Sequence, residues 1–147
     1  MTKDQMREAI LEAKAGKGMT WEQIAEKVGC SPVFVTAACL GEHSMTEDQA
    51  EKLTGALGLK KDVASALTDC PMKARQGQDL MNDPLIYRFK EIGMVYGESF
   101  KELVHEKFGD GIMSAIDFTM DVEKEEDPKG DRVKIVMSGK FLPYKRW

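Results

Sequence analysis

Few side chains in this sequence could do chemistry, and their spacing limits what that chemistry is. Arg88 and Glu91 stand three apart in Asp83-Pro84-Leu85-Ile86-Tyr87-Arg88-Phe89-Lys90-Glu91. In a helix that spacing sets a permanent cation and a carboxylate on one face. By itself it describes a solvated salt bridge worth a few tenths of a kcal/mol, roughly. Ser114 lies where the glycine-rich Gly109-Asp110-Gly111 gives way to a strand, and a serine there is chemically ordinary. Cys39 and His43 are four apart with the helix breaker Gly41 between them, and no CxxC exists. Standard zinc clusters need more ligands at tighter spacing, so no metal and no cofactor is expected. Cys30 and Cys39 read as small core residues, Cys70 as a linker residue and His105 as a surface or interface histidine.

The elements that must position these groups are legible from local signals. Thr2 with Gln5, Thr20 with Gln23 and Thr46 with Gln49 each repeat the capping-box pattern that opens a helix. Ser31-Pro32 supplies a fourth start, with serine as N-cap and proline at the first helical position. Gly16, Gly29, Gly41 and Gly58 are expected to close the four segments, and Val63 to Leu67 suggests a fifth helix. Residues 70–83 lose the periodicity and read as a connector, dividing the chain into 1–70 and 71–147. Beyond it, Asp83-Pro84 predicts a helix ending at Gly97, and Ser99 with Glu102 predicts a second ending at Gly109. The period then changes to two. Ile116, Phe118, Met120 and Val122, then Val133, Ile135 and Met137, predict a half-buried antiparallel hairpin turning at Glu125 to Gly130. The fold class is therefore α+β: a helical bundle, then a helix pair and a hairpin. A two-stranded hairpin is marginal alone, so this one must pack against helices or against another subunit.

Residues 20–41 have helix-turn-helix spacing of the lambda-repressor-like type. A DNA reader presents basic or amide side chains from its second helix, yet Pro32 to Leu40 offers only Thr36 and Cys39. The charge balance agrees: 21 basic against 25 acidic residues give a net charge of −4 over 147 residues, with no basic half to grip a polyanion. A regulator dimerised by its carboxyl-terminal part is the alternative function, and the missing basic residues count against it. Hydrophobic content of 42% with 31% charged residues is globular composition rather than disorder. The charged amino end, the lack of an apolar run of ~18 residues and the odd cysteine number predict a soluble, cytoplasmic protein without membrane contact.

What singles out Arg88, Glu91 and Ser114 is their company. The runs Asp83 to Phe89, Val95-Tyr96-Gly97, His105 to Phe118 and Gly139 to Tyr144 closely resemble the cyanase (cyanate hydratase, or cyanate lyase) family, and the resemblance spans essentially the whole chain. It implies a bundle that does not bind DNA and bicarbonate-dependent decomposition of cyanate to carbon dioxide and carbamate. Carbamate then yields ammonia and a second carbon dioxide, so the implied role is cyanate detoxification and nitrogen release. The family's catalytic arginine, glutamate and serine fall on Arg88, Glu91 and Ser114. The resemblance also implies a homodecamer of five dimers, with active sites at subunit interfaces and the hairpin-bearing carboxyl-terminal part forming the dimer, and no cofactor beyond bicarbonate as co-substrate. The sequence departs from the family at Lys90, where an aromatic is common, and at Gly93, which costs a helix ~1 kcal/mol. Two positions from Arg88, Lys90 is expected to point away from it.

The residue types suit that reaction. Two monoanions must approach to bonding distance, and at 4 Å they repel by ~4 kcal/mol at an effective dielectric of 20. Arginine offsets this with a permanent charge and a planar fork of donors matched to bicarbonate. A serine hydroxyl can add a donor, and a glutamate on the arginine's face can orient it or handle a proton.

Overall fold

The structure is a computed structural model that describes residues 1–71, 73 and 77–145. By internal contacts the chain divides into two units, Met1–Lys73 with Met120–Val136 and Ala74–Thr119 with Met137–Trp147.

Five helices build the first unit: α1 (Lys3–Lys17), α2 (Trp21–Val28), α3 (Pro32–Cys39), α4 (Glu47–Leu57) and α5 (Lys61–Thr68). All three capping boxes form, with the Thr2, Thr20 and Thr46 hydroxyls accepting from the amides of Gln5, Gln23 and Gln49, and each glutamine side chain returning a bond to the threonine amide. Ser31 caps α3 by accepting from the Phe34 amide. The first helix runs two residues past its expected end, because Gly18 rather than Gly16 takes the left-handed conformation, at φ 61°. Its amide and that of Met19 reach back to the Ala15 and Lys14 carbonyls, and Met19 packs on the core, the hydrophobic closure usual for such an ending.

Periodic apolar residues meet inside the bundle. Met6 and Ile10 of α1, Ile24 of α2, Val35 of α3, Leu53 of α4 and Leu67 of α5 are all fully buried. Each such side chain contributes about 1.5–3 kcal/mol on leaving water. Cys39 is sealed among them, and burial pushes its thiol up to about 12. Thr54, also buried, donates its hydroxyl to the Ala50 carbonyl at 2.9 Å, so its polar atom is satisfied within α4.

The second unit holds α6 (Gly77–Leu80) and α7 (Tyr87–Phe108). The short α6 lies in the expected connector, whose residues 72 and 74–76 fall outside the described residues. The expected helix pair is instead one 22-residue helix, α7, which runs through Gly93, Gly97 and Ser99 without a break. Interrupting it would orphan four amides and four carbonyls, a larger cost than the ~1 kcal/mol of each interior glycine. Asp83 sits before it, with Oδ1 accepting from the Leu85 and Ile86 amides at 2.8 and 3.1 Å. The helical ladder begins only at Tyr87, three residues beyond Pro84.

Strands β1 (Gly111–Glu125) and β2 (Arg132–Pro143) form a two-stranded sheet. At its turn the Gly130 amide donates to the Asp127 carbonyl, and Pro128 occupies the second turn position, which suits its fixed φ. Glu123 and Lys134 pair across the strands at 2.8 Å, as do Lys124 and Asp131 at 2.7 Å. The expectation of a half-buried strand fails within one chain. Phe118 and Met120 are partly covered, but Ile116 is 83% exposed and Val122, Val133, Ile135 and Met137 are exposed with it. No residue of α7 is buried either. The alternation is present, and among the described residues the face it presents is largely uncovered.

Candidate active site

Arg88 and Glu91 meet as their spacing predicts. The Arg88 Nη1 donates to Glu91 Oε2 at 2.8 Å, and Nε donates to the Pro84 carbonyl, one turn earlier, at 3.2 Å. Both ends of the guanidinium edge are thereby fixed. Two of its five N–H donors are used, and the remaining three face outward from a side chain about half exposed. So exposed a pair adds little to stability. What it supplies is orientation: a fork of donors held in place by a carboxylate.

Tyr87 was not singled out from the sequence, and it bears directly on that fork. The Arg88 guanidinium carbon lies 5.2 Å from its ring centroid and the Lys90 ammonium 5.8 Å from the same centroid. Sequence spacing directs Lys90 away from Arg88, and both cations nonetheless lie within cation–π reach of one aromatic ring.

Ser114 is the fourth residue of β1 and only 7% exposed. Its Oγ accepts from the Ile116 and Asp117 amides at 3.1 and 3.0 Å. Successive amides of a regular strand point to opposite sides, so two converging on one oxygen mark a local departure from the pleat. A hydroxyl has two lone pairs and one proton. With both lone pairs engaged and no acceptor for the proton among the described residues, Ser114 is left as a hydrogen-bond donor in need of an acceptor. Gly139 lets β2 approach closely here, since a Cβ there would overlap the Ser114 carbonyl and the Met113 side chain.

The junction behind Ser114 is braced. Gly109 ends α7 at φ 86°, ψ −172°, a conformation almost confined to glycine. Its amide donates to the His105 carbonyl at 2.9 Å. The ring of His105 contacts the Gly111 carbonyl through Nε2 at 3.3 Å and the Asp110 carboxylate through Nδ1 at 3.6 Å. Phe108 stacks on Phe141 with centroids 5.3 Å apart. His105, expected as a surface or interface histidine, is partly buried and braces helix to strand.

The structure does not bring Ser114 to Arg88 within one chain. They belong to opposite ends of α7: from Arg88 to Phe108 the helix advances about 30 Å, and the six residues on to Ser114 can span at most about 20 Å. Neither Arg88 nor Glu91 makes a hydrogen bond to Ser114. Cys39 is sealed in the core and the His43 ring lies 5.8 Å from that of Phe34. Among the described residues no three metal-ligating side chains cluster, and no helix is long and apolar enough to cross a membrane.

An oriented guanidinium and a buried hydroxyl with its proton unspent are donors of the class that small oxyanions accept from. Comparison with known proteins narrows the class. Residues 3–71 match the family model for the cyanate hydratase N-terminal domain, and residues 78–146 match that for the cyanate lyase C-terminal domain. The cyanate hydratase of Marinomonas sp. (strain MWYL1) is 54% identical over 147 residues, the whole of both chains. That of Synechocystis sp. is 54% identical over 94% of this chain and 92% of its own. The crystal structure of cyanase from T. urticae superposes with a TM-score of 0.86 at 39% identity, covering 94% of this chain and 96% of that one. The chain belongs to the cyanate hydratase family of lyases.

Proposed function

We propose that the protein catalyses the bicarbonate-dependent decomposition of cyanate. A bicarbonate oxygen bonds to the cyanate carbon, and the adduct releases carbon dioxide and, on taking up one proton, carbamate. Carbamate takes up a second proton and falls to ammonia and carbon dioxide. Arg88 binds the anions through its open fork, Glu91 orients Arg88 and serves as the proton-handling group, and Ser114 donates its hydroxyl proton to a substrate oxygen. Support for this assignment comes chiefly from the Ser114 hydroxyl, whose lone pairs are occupied while its proton is free. Bicarbonate is a co-substrate, and these three residues need no metal or cofactor to fill their roles.

The separation of Arg88 from Ser114 supports a site assembled from more than one chain, Arg88 and Glu91 from one copy and Ser114 from another. The bare apolar face of α7 and the hairpin supports the same assembly. Residues 71–147 form the catalytic and dimerising part, residues 1–70 a bundle that does not bind DNA, and the working form is a decamer of five dimers in the cytoplasm. The decisive test mixes purified protein with cyanate, with and without bicarbonate, and follows ammonia. Ammonia is expected only when both anions are present. Equal rates after rigorous removal of carbon dioxide and bicarbonate would exclude the mechanism.

A further inference from the structure

We infer that Lys90 is a second cation of the anion site, setting its affinity for both substrates without touching the reacting atoms. The inference rests on the cyanate reading above and adds a residue to it. From Asp83 to Glu91 the charged groups are two carboxylates, Asp83 and Glu91, one guanidinium, Arg88, and the Lys90 ammonium. Glu91 is paired with Arg88 at 2.8 Å, so Arg88's charge is largely offset by the group that orients it. Without Lys90 this segment would be net negative and would repel the two anions it must receive. Lys90 brings it to neutrality.

The geometry puts that charge where it counts. Lys90 Nζ and Arg88 Cζ both lie within 6 Å of the Tyr87 ring centroid, so the two cations stand within about one Debye length of each other at 0.1 M salt. Lys90 itself is exposed, leans on the Tyr87 ring, and among the described residues its ammonium makes no hydrogen bond or ion pair that would cancel its charge. A field of this kind acts on ground state and transition state alike, so it moves KM and leaves kcat nearly unchanged.

The test measures steady-state kinetics of wild type, Lys90→Gln and Lys90→Arg across a salt series. Lys90→Gln should raise KM for cyanate and for bicarbonate about threefold to tenfold with kcat within about twofold. Lys90→Arg should keep wild-type KM values. Added salt should close the gap between wild type and Lys90→Gln, because screening removes a long-range charge effect and spares a packing defect. Glutamine matches lysine in helix propensity, and an unchanged light-scattering mass and melting temperature confirm that the fold is kept. If Lys90→Gln loses its fold, the salt dependence of wild type against Lys90→Arg still decides: parallel rises in KM support the inference, and a flat wild-type KM overturns it. Unchanged KM in an intact Lys90→Gln, or a gap that persists at high salt, overturns the Lys90 role and leaves the cyanate reading standing. A wild type that makes no ammonia overturns both.

Discussion

The two parts of this chain treat their apolar residues in opposite ways. In α1 to α5 the large ones close on one another, with Met6, Ile10, Ile24, Leu53 and Leu67 fully buried. Along α7 nothing is buried, and Phe89, Ile92, Tyr96, Phe100 and Leu103 lie open. Composition does not explain the contrast, since both parts carry the same kind of periodic stripe. The bundle has enough helices to bury its stripes against each other, whereas one helix and a two-stranded sheet have no second layer. The bundle closes over its own stripes, and among the described residues the remainder leaves its stripes uncovered. All three proposed site residues are in the uncovered part.

That contrast is sharpened most by breaking the chemistry alone. Arg88→Lys should lower kcat/KM by about a hundredfold or more, because lysine keeps the charge and loses the fork. The melting temperature should hardly move. A sharing of sites between chains has a further consequence. Arg88→Lys and Ser114→Ala, each inactive alone, should on mixing and reassembly recover on the order of a quarter of wild-type activity, since one combination in four unites the intact residues. No recovery, with exchange of subunits verified by mass, would place the site within one chain.

Next in size is the assembly. Ile116→Asp alters a residue 83% exposed in the single chain, so the isolated fold should tolerate it. A charge on a face that copies must bury should dissociate them and abolish turnover, as light scattering beside an ammonia assay will report. If the variant remains assembled and active, that face is free surface. In the bundle the pattern reverses: Leu53→Ala should cost about 2–5 kcal/mol of stability, read by denaturant melts, while kcat of the folded enzyme stays near wild type.

The smallest effect is a pH dependence of the bundle. Burial first, with Lys73 adding to it and Glu42 opposing, lowers the His43 pKa below its ordinary 6.5. The unfolded chain then binds the proton more tightly than the native one. Stability is complete above 6.5 and falls as pH drops through 6.5 toward the lower native value. Urea melts at about pH 7.5 and about pH 5.5 should reveal the loss, and His43→Phe, which keeps a ring beside Phe34, should flatten it.

How much of this was legible in the sequence depended on how local the cause was. The capping boxes at Thr2, Thr20 and Thr46 need four consecutive residues, and all three formed as read. The Arg88 and Glu91 pair needed only one helical turn. Gly93, Gly97 and Ser99 misled, because a glycine penalty is local while the hydrogen-bond ladder of α7 is cooperative over its whole length. The surroundings of Ser114 could not be read at all. They depend on Gly139, 25 positions away, and on a distortion that turns two adjacent amides to one oxygen. Tyr87 as a shared ring for two cations was equally invisible, since rotamers and not spacing decide it.

The unbroken course of α7 makes it a ruler. It fixes both the distance and the angular phase between the Arg88 face at its start and the braced Gly109 junction at its end. One residue inserted midway, beside Gly97, would turn everything upstream by about 100° and shift it by about 1.5 Å. Seven would nearly restore the phase while displacing Arg88 by about 10 Å. Neither repair is complete, so the length of this helix should be far less free to vary than the residues along it, and the hairpin turn at Pro128, remote from that ruler in sequence, is where the chain can lengthen.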